Sequence, residues 1–171
     1  MKKLFSVADN FQKKLAQMDL APLSSLLAHL RAAAHINQTH HWQTNGPEFY
    51  ADHLLFQRLY EGEDGEPQDI IDQVAERSIG ADSAERVDAL EQINMMQEVV
   101  RKAYETAPGD TPEDMIKRSL LTEEMVLENI KSAINTLSST DSLSSGTSNL
   151  LEGASDLHET FVYLLKQRSG M

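Results

Sequence analysis

Residues 41–80 read HWQTNGPEFYADHLLFQRLYEGEDGEPQDIIDQVAERSIG. Within this stretch Thr44-Asn45-Gly46-Pro47 is a turn signal that stops one helix and starts another. Beyond the turn, Phe49, His53, Phe56 and Tyr60 recur at helical spacing and form one stripe. The run Glu61-Gly62-Glu63-Asp64-Gly65-Glu66-Pro67 joins two glycines to a proline, so this second helix is expected to be interrupted near 61–67. Helix resumes over 68–79 and ends at Gly80.

Working outward, residues 20–43 carry Leu23, Leu27, Leu30, Ala34 and His41 at helical spacing, with Asp19 as N-cap and Pro22 inside the first turn. Downstream, Asp82 or Ser83 caps a helix over 84–106 whose expected apolar contacts are Val87, Leu90, Ile93 and Met96. Pro108-Gly109-Asp110 ends it. Thr111-Pro112-Glu113-Asp114 is an N-cap, a proline at the first helical position and acids in the first turn. That helix runs to about 137 through Ile116, Leu120, Leu127, Ile130, Ala133, Ile134 and Leu137. Residues 138–148 are turn-like, and a last helix over 149–167 is expected to bury Leu150, Ala154, Leu157, Phe161 and Leu164. No segment sustains the alternation of a strand. The expected fold is all-α. The connection between helices 2 and 3 is too long for a hairpin turn and carries an additional helix, which fits a ferritin-like four-helix bundle with one long crossover. We expect a single domain over 1–171, with the bundle at about 19–168 and a short N-terminal extension, 1–18.

The chain has 171 residues, 27 acids against 15 Lys and Arg, a formal charge of −12 and no cysteine. Disulfide scaffolds, thiol chemistry and Cys-ligated metals are therefore excluded. No stretch approaches the roughly 18–20 apolar residues of a membrane span, and the expected location is the cytoplasm. Such acidity disfavours general nucleic-acid binding, which depends on clustered Lys and Arg. Seven of the acids fall between Glu61 and Glu76, where there is no Lys or Arg.

His41 continues the stripe of the first helix two heptads beyond Leu27, and His53 interrupts the apolar stripe of the second. Both lie near the Asn45-Gly46 turn, so they are placed to converge. The plain reading is a pair of satisfied buried or interface histidines; the functional one is a pair of metal ligands. Asp72 and Glu76, at i, i+4, share one face of the resumed helix beside Ile71, Val74 and Ala75. Their plain reading is a solvated flank next to Arg77. Two imidazoles and two carboxylates suit ferrous iron, the carboxylates tolerating its oxidation. The usual di-iron bundle pattern, Glu-x-x-His on two helices, is absent, since no histidine has Glu three residues before it. His29, His35 and His40 have no matching carboxylates.

At these residues the chain resembles the Dps-type miniferritins, the DNA-protection-during-starvation family of ferritin-like proteins. His41-Trp42-Gln43-Thr44-Asn45-Gly46 is close to the family's His-Trp-Asn-x-x-Gly. Phe49, His53, Phe56 and Tyr60 follow in family order, then Asp72-Gln73-Val74-Ala75-Glu76-Arg77 and Gly80. Leu157-His158-Glu159 and Tyr163-Leu164-Leu165 resemble the end of the family's last helix. The likeness covers about 20–168. It implies a homo-oligomeric hollow shell, a dodecamer, with iron sites across two-fold interfaces. Carried over, His41 and His53 of one subunit face Asp72 and Glu76 of its neighbour. The implied activity is a ferroxidase that oxidises Fe²⁺ with hydrogen peroxide, or with O₂, and stores ferric mineral. Trp42 would donate an electron or, equally, anchor the interface.

Two departures bear on this. Gln57 stands where the family often has an acid, so of two irons per site the second is expected to bind more weakly. The spacing from His53 to Asp72 is about four residues longer than usual. A bulge at 61–67 keeps Asp72 and Glu76 in register; a shifted helix brings in Glu61, Glu63, Glu66 or Asp69 instead. The bulge is preferred because the downstream Ala75-Glu76-Arg77 and Gly80 pattern is retained. Lys2, Lys3, Lys13 and Lys14 make a small basic cluster, but twelve chains of −12 sum to about −144, so DNA binding is expected to be weak. Competing readings are a non-catalytic or partner-binding shell with an impaired centre, and a zinc-binding or four-helix signalling module.

Overall fold

The computed structural model describes residues 22–80 and 87–170. Six helices follow in order: α1 (Pro22–Gln43), α2 (Phe49–Glu61), α3 (Glu66–Ser78), α4 (Ala89–Thr106), α5 (Pro112–Ser139) and α6 (Ser145–Ser169). Among the described residues there is no strand. No helix among them is long and apolar enough to cross a membrane. The expected caps at Asp19, Asp82 and Ser83, the extension 1–18 and its lysines lie outside the described residues.

α2 and α3 are the two halves of the interrupted helix. α1 packs against α2, α3, α4 and α5; α5 packs against α6, and α3 also meets α6. α4 is the crossover helix and lies on α1 and α5. The break is local: α2 ends at Glu61 and α3 starts at Glu66. Gly62 has φ 71°, and a Cβ there would meet Pro67 Cδ at 2.6 Å, so only glycine lets the chain turn this tightly onto the proline. Gly65, left-handed at φ 83°, then starts α3 with Pro67 in its first turn.

The expected cap at Thr111 is present as a capping box. Thr111 Oγ1 accepts from the Asp114 N–H at 3.2 Å, and Asp114 Oδ2 accepts from the Thr111 N–H at 3.3 Å. Other boundaries move. α4 begins at Ala89, where the Asp88 carboxylate accepts from the N–H groups of Leu90 and Glu91. Its buried line is Gln92, Met95, Val99 and Ala103, while Leu90 is 65 % exposed. The Gln92 amide turns inward to donate to the Ser24 carbonyl, which a ranking by hydrophobicity could not foresee. α6 begins at Ser145, capped by Ser144, and its core line is Leu151, Ala154, His158, Phe161 and Leu165 rather than one through Leu157 and Leu164.

The core has two apolar clusters. One holds Leu26, Leu30, Ala33, Val74, Val126, Ile130 and Leu151; the other holds Phe56, Leu59, Met115, Ile116, Phe161 and Leu165. A buried polar belt divides them. Its members are Asn37 and His40 of α1, Arg118, Ser119 and Glu123 of α5, and His158 of α6.

Candidate metal centre

The centre begins at the end of α1. The inward line of that helix is Leu26, Leu30, Ala33, Asn37 and His40. The parallel line Leu27, Ala34, His41 starts buried and becomes half-exposed, because neighbouring helices no longer cover that side near the C-terminus. His41 therefore does not continue the core stripe, as its spacing from Leu27 had implied; His40 does. On α2 the inward residues are Asp52, Phe56 and Leu59, which likewise leaves His53 half-buried on the flank.

The two flanks meet across the turn. The His41 and His53 rings are stacked, with centroids 3.7 Å apart and planes at 25°. His41 Nδ1 donates to the His53 backbone carbonyl at 2.9 Å, and His53 Nδ1 donates to the His41 carbonyl at 3.0 Å. A backbone carbonyl only accepts, so both rings carry their proton on Nδ1. In the neutral form each Nε2 is then a lone pair, oriented as a metal ligand is when its other nitrogen is hydrogen-bonded. Tyr60 meets His41 edge-on at 5.5 Å and Phe49 lies 5.1 Å from His53. Burial, and then the Glu61 carboxylate, push the Tyr60 phenol above its ordinary value, keeping it a proton donor.

The entry of α2 is held from outside. Its N-cap residue Glu48 makes no side-chain cap. Instead Arg168, near the end of α6, grips the fully buried Asp52 carboxylate with Nε–Oδ1 at 2.6 Å and a second bond to Oδ2 at 3.0 Å. Asp52 immediately precedes His53, so the clamp fixes the backbone that receives the His41 proton. Around the pair, Trp42 is 67 % exposed and Tyr50 74 %, with Phe49 and Leu54 also open. Such an exposed apolar patch marks an interaction surface.

Asp72 and Glu76 are not brought to the histidines. Both are exposed on α3, and Gln68 Nε2 donates to Asp72 Oδ1 at 2.8 Å. Arg77 donates to the Gln73 carbonyl. Gln57 donates to Glu61 at 2.6 Å, and Glu63 pairs with Arg58 at 2.8 Å. Among the described residues no three His, Asp or Glu side chains gather closely enough to hold a metal ion. Within the described residues, the two histidine Nε2 atoms thus stand together with no carboxylate adjoining them.

The residues that sequence reasoning missed are those of the polar belt. Arg118 donates to His40 Nε2 at 3.0 Å, His40 Nδ1 to Ser119 Oγ at 2.9 Å, and Ser119 to Asn37 Oδ1 at 2.6 Å. Asn37 Nδ2 then donates to Glu123 Oε1 at 2.8 Å, and His158 Nδ1 meets Glu123 Oε2 at 2.5 Å. The dipoles run from the Arg118 cation to the Glu123 anion. Arg118 also donates to the carbonyls of Ala107 and Gly109 and lies over the Tyr104 ring. Burial, with Arg118 beside it, lowers the His40 pKa to about 3, so its Nε2 remains an acceptor. Carboxylate bundles place their metals at the bundle centre. Here Glu123 and His40 are fully engaged with protein donors and acceptors, and Arg118 supplies the cation. The available signal was a run of polar residues at inward spacing: Asn37 with His40, and Ser119 with Glu123.

The ferritin-like domain family model matches residues 20–160. A sequence search of curated proteins gives no match. Among solved structures, Dps from Thermosynechococcus elongatus is similar at TM-score 0.69 and 22 % identity, over 90 % of this chain and 91 % of that one. A DPS protein from Vibrio cholerae O1, described as one of the ferritin-like diiron-carboxylate proteins, is similar at TM-score 0.68 and 20 % identity, over 88 % of each chain. DpsC from Streptomyces coelicolor is similar at 0.63 and 21 %, over 88 % of this chain and 82 % of its own.

Proposed function

The chain belongs to the ferritin-like family with a Dps-type fold, and from that premise we propose that it is a ferroxidase that stores iron in a homo-oligomeric shell. The observation that carries the proposal is the His41/His53 pair, two Nε2 lone pairs side by side on an exposed aromatic surface with no carboxylate of their own chain beside them. The missing ligands come from a second copy, whose Asp72 and Glu76 are exposed and make no ion pair among the described residues. In this reading the patch of Trp42, Phe49, Tyr50 and Leu54 is covered by the neighbour, which dries the site and strengthens its electrostatics. The shell is a dodecamer, and the setting is the cytoplasm.

Two ferrous ions are the substrate. They give one electron each to hydrogen peroxide; with two waters the products are two ferric oxyhydroxide units and four protons. Pairing the electrons avoids release of hydroxyl radical, and O₂ is the alternative oxidant. Neutral imidazoles hold the ferrous state, carboxylates stabilise the ferric product, and Trp42 is placed to supply an electron where only one iron is bound. Gln57 is neutral and its amide is given to Glu61, so the second iron binds more weakly. That same residue favours the second reading, a non-catalytic shell.

The test is Fe²⁺ oxidation by peroxide in the assembled protein. His41→Ala and His53→Ala are each expected to slow it by about tenfold or more, as loss of a ligand should. An unchanged rate in the double variant removes the proposed centre. Normal assembly without a ferric core on iron loading of the unaltered protein supports the non-catalytic shell.

A further inference from the structure

About twelve residues back along α1 from His41, or roughly 18 Å at the helical rise, a cavity of about 300 Å³ opens between α1, α4 and α5. His29, Met95 and Met125 line it, one from each helix, with Ser25, Glu98 and Lys102 around them. It shares no residue with the His41/His53 pair.

We propose that this cavity is a binding site for a soft monovalent metal ion, Cu(I), held by the His29 imidazole and the Met95 and Met125 thioethers. His29 Nδ1 donates to the Ser25 backbone carbonyl at 2.8 Å, which places the ring proton on Nδ1. Burial holds the His29 pKa below its ordinary value, so the ring is neutral and Nε2 is a lone pair. Among the described residues, the hydrogen bond of the His29 ring is the one from Nδ1, which leaves Nε2 for a ligand. Met95 and Met125 line the same cavity, and thioethers select Cu(I) over harder ions.

Of the acids near the cavity, the Glu98 carboxylate is taken up by Arg101, through Nε at 3.0 Å and through NH2, while Glu128 acts on His29 through space. Lys102 lowers the His29 pKa through space and Glu128 raises it, so the two nearest charges oppose one another and the donor atoms decide the selectivity. A donor set of one imidazole and two thioethers is matched to low charge and high polarisability. Methionines that merely fill core space do not require an imidazole held in the metal-binding tautomer beside them.

The experiment uses the whole protein, loaded anaerobically with Cu(I) against a chromophoric chelator and read by X-ray absorption. Because the chain has no cysteine, any sulfur bound to copper is a methionine thioether. We expect a copper–sulfur shell in the unaltered protein. It should be lost in Met95→Leu/Met125→Leu, whose near-isosteric side chains preserve packing, with affinity weaker by at least about tenfold, the lower bound for outer-shell changes. Met115→Leu, in the other core cluster, should retain it, as should His53→Ala, which separates this site from the iron centre. Absence of a sulfur shell in the unaltered protein, or its persistence in the double leucine variant, overturns the proposal.

Discussion

At the scale of single residues, the decisive facts are where ring protons sit. His41 and His53 exchange Nδ1 hydrogen bonds with each other's backbone, and His40 receives one from Arg118 on Nε2. Adjacent residues of one helix thus have opposite assignments, His41 with its proton on Nδ1 toward the backbone and His40 as an acceptor inside the core. His40 carries a pH consequence. Its folded pKa of about 3 lies below the 6.5 of the unfolded chain. Between those values the unfolded chain binds a proton that the folded chain does not. Its contribution is therefore fully present above about 6.5 and falls as pH drops, by about 1.4 kcal/mol per unit. His40→Gln keeps a donor for Ser119 and an acceptor for Arg118 but does not titrate. Denaturant unfolding at a series of pH values should show a shallower acid-side slope in this variant, and equal slopes would contradict the assignment. The convergence of the histidine pair was legible from the turn between them. Which of two adjacent lines of α1 points inward was not, because Leu26 and Leu27 are equally apolar and equally buried.

At the scale of elements, the interrupted helix and the caps were legible because glycine, proline and Thr-x-x-Asp act through local sterics and hydrogen bonds. The faces of α4 and α6 were not. α4 buries a glutamine and exposes a leucine, and α6 buries His158 where a leucine was expected. The Gly62 break separates the His53 half of the second helix from the Asp72 half, so it sets where those carboxylates stand. Gly62→Ala must place a methyl against Pro67 at a positive φ. The expected cost is about 1–3 kcal/mol, read as a lower unfolding midpoint, with slower Fe²⁺ oxidation if α3 shifts. An unaltered midpoint would mean that the break tolerates a side chain.

At the scale of the whole molecule, the proposed site draws its ligands from two copies. Assemblies of His41→Ala/His53→Ala chains and of Asp72→Ala/Glu76→Ala chains should each be impaired. Dissociated and reassembled together in equal amounts, they should regain up to about a quarter of the rate per site, because random pairing makes that fraction of sites whole. No recovery would show that both ligand pairs act within one chain. Charge has its own expectation at this scale. Each chain carries −12, and the proposed dodecamer would sum to about −144 and repel phosphate, so a gel shift at low salt should show no tight stoichiometric complex with DNA. Tight retention would assign the N-terminal lysines a larger role than net charge allows.

By itself, the sequence determined the helical class, the order of the helices, the crossover, the break near 61–67 and the two histidines flanking one turn. These follow from periodicity, caps and backbone sterics, which act over a few residues. Only the tertiary structure decided that His40 enters the core while His41 stays on the flank, that Arg118, Asn37, Glu123 and His158 belong to one hydrogen-bonded polar belt, and that Asp72 and Glu76 stand apart from the histidines in one chain. Those outcomes depend on which neighbouring helix covers each face and on partners as distant in sequence as Asp52 and Arg168. Local periodicity can identify a helix and its candidate faces, but the free energy of burying a polar side chain depends on the donor or acceptor that meets it there.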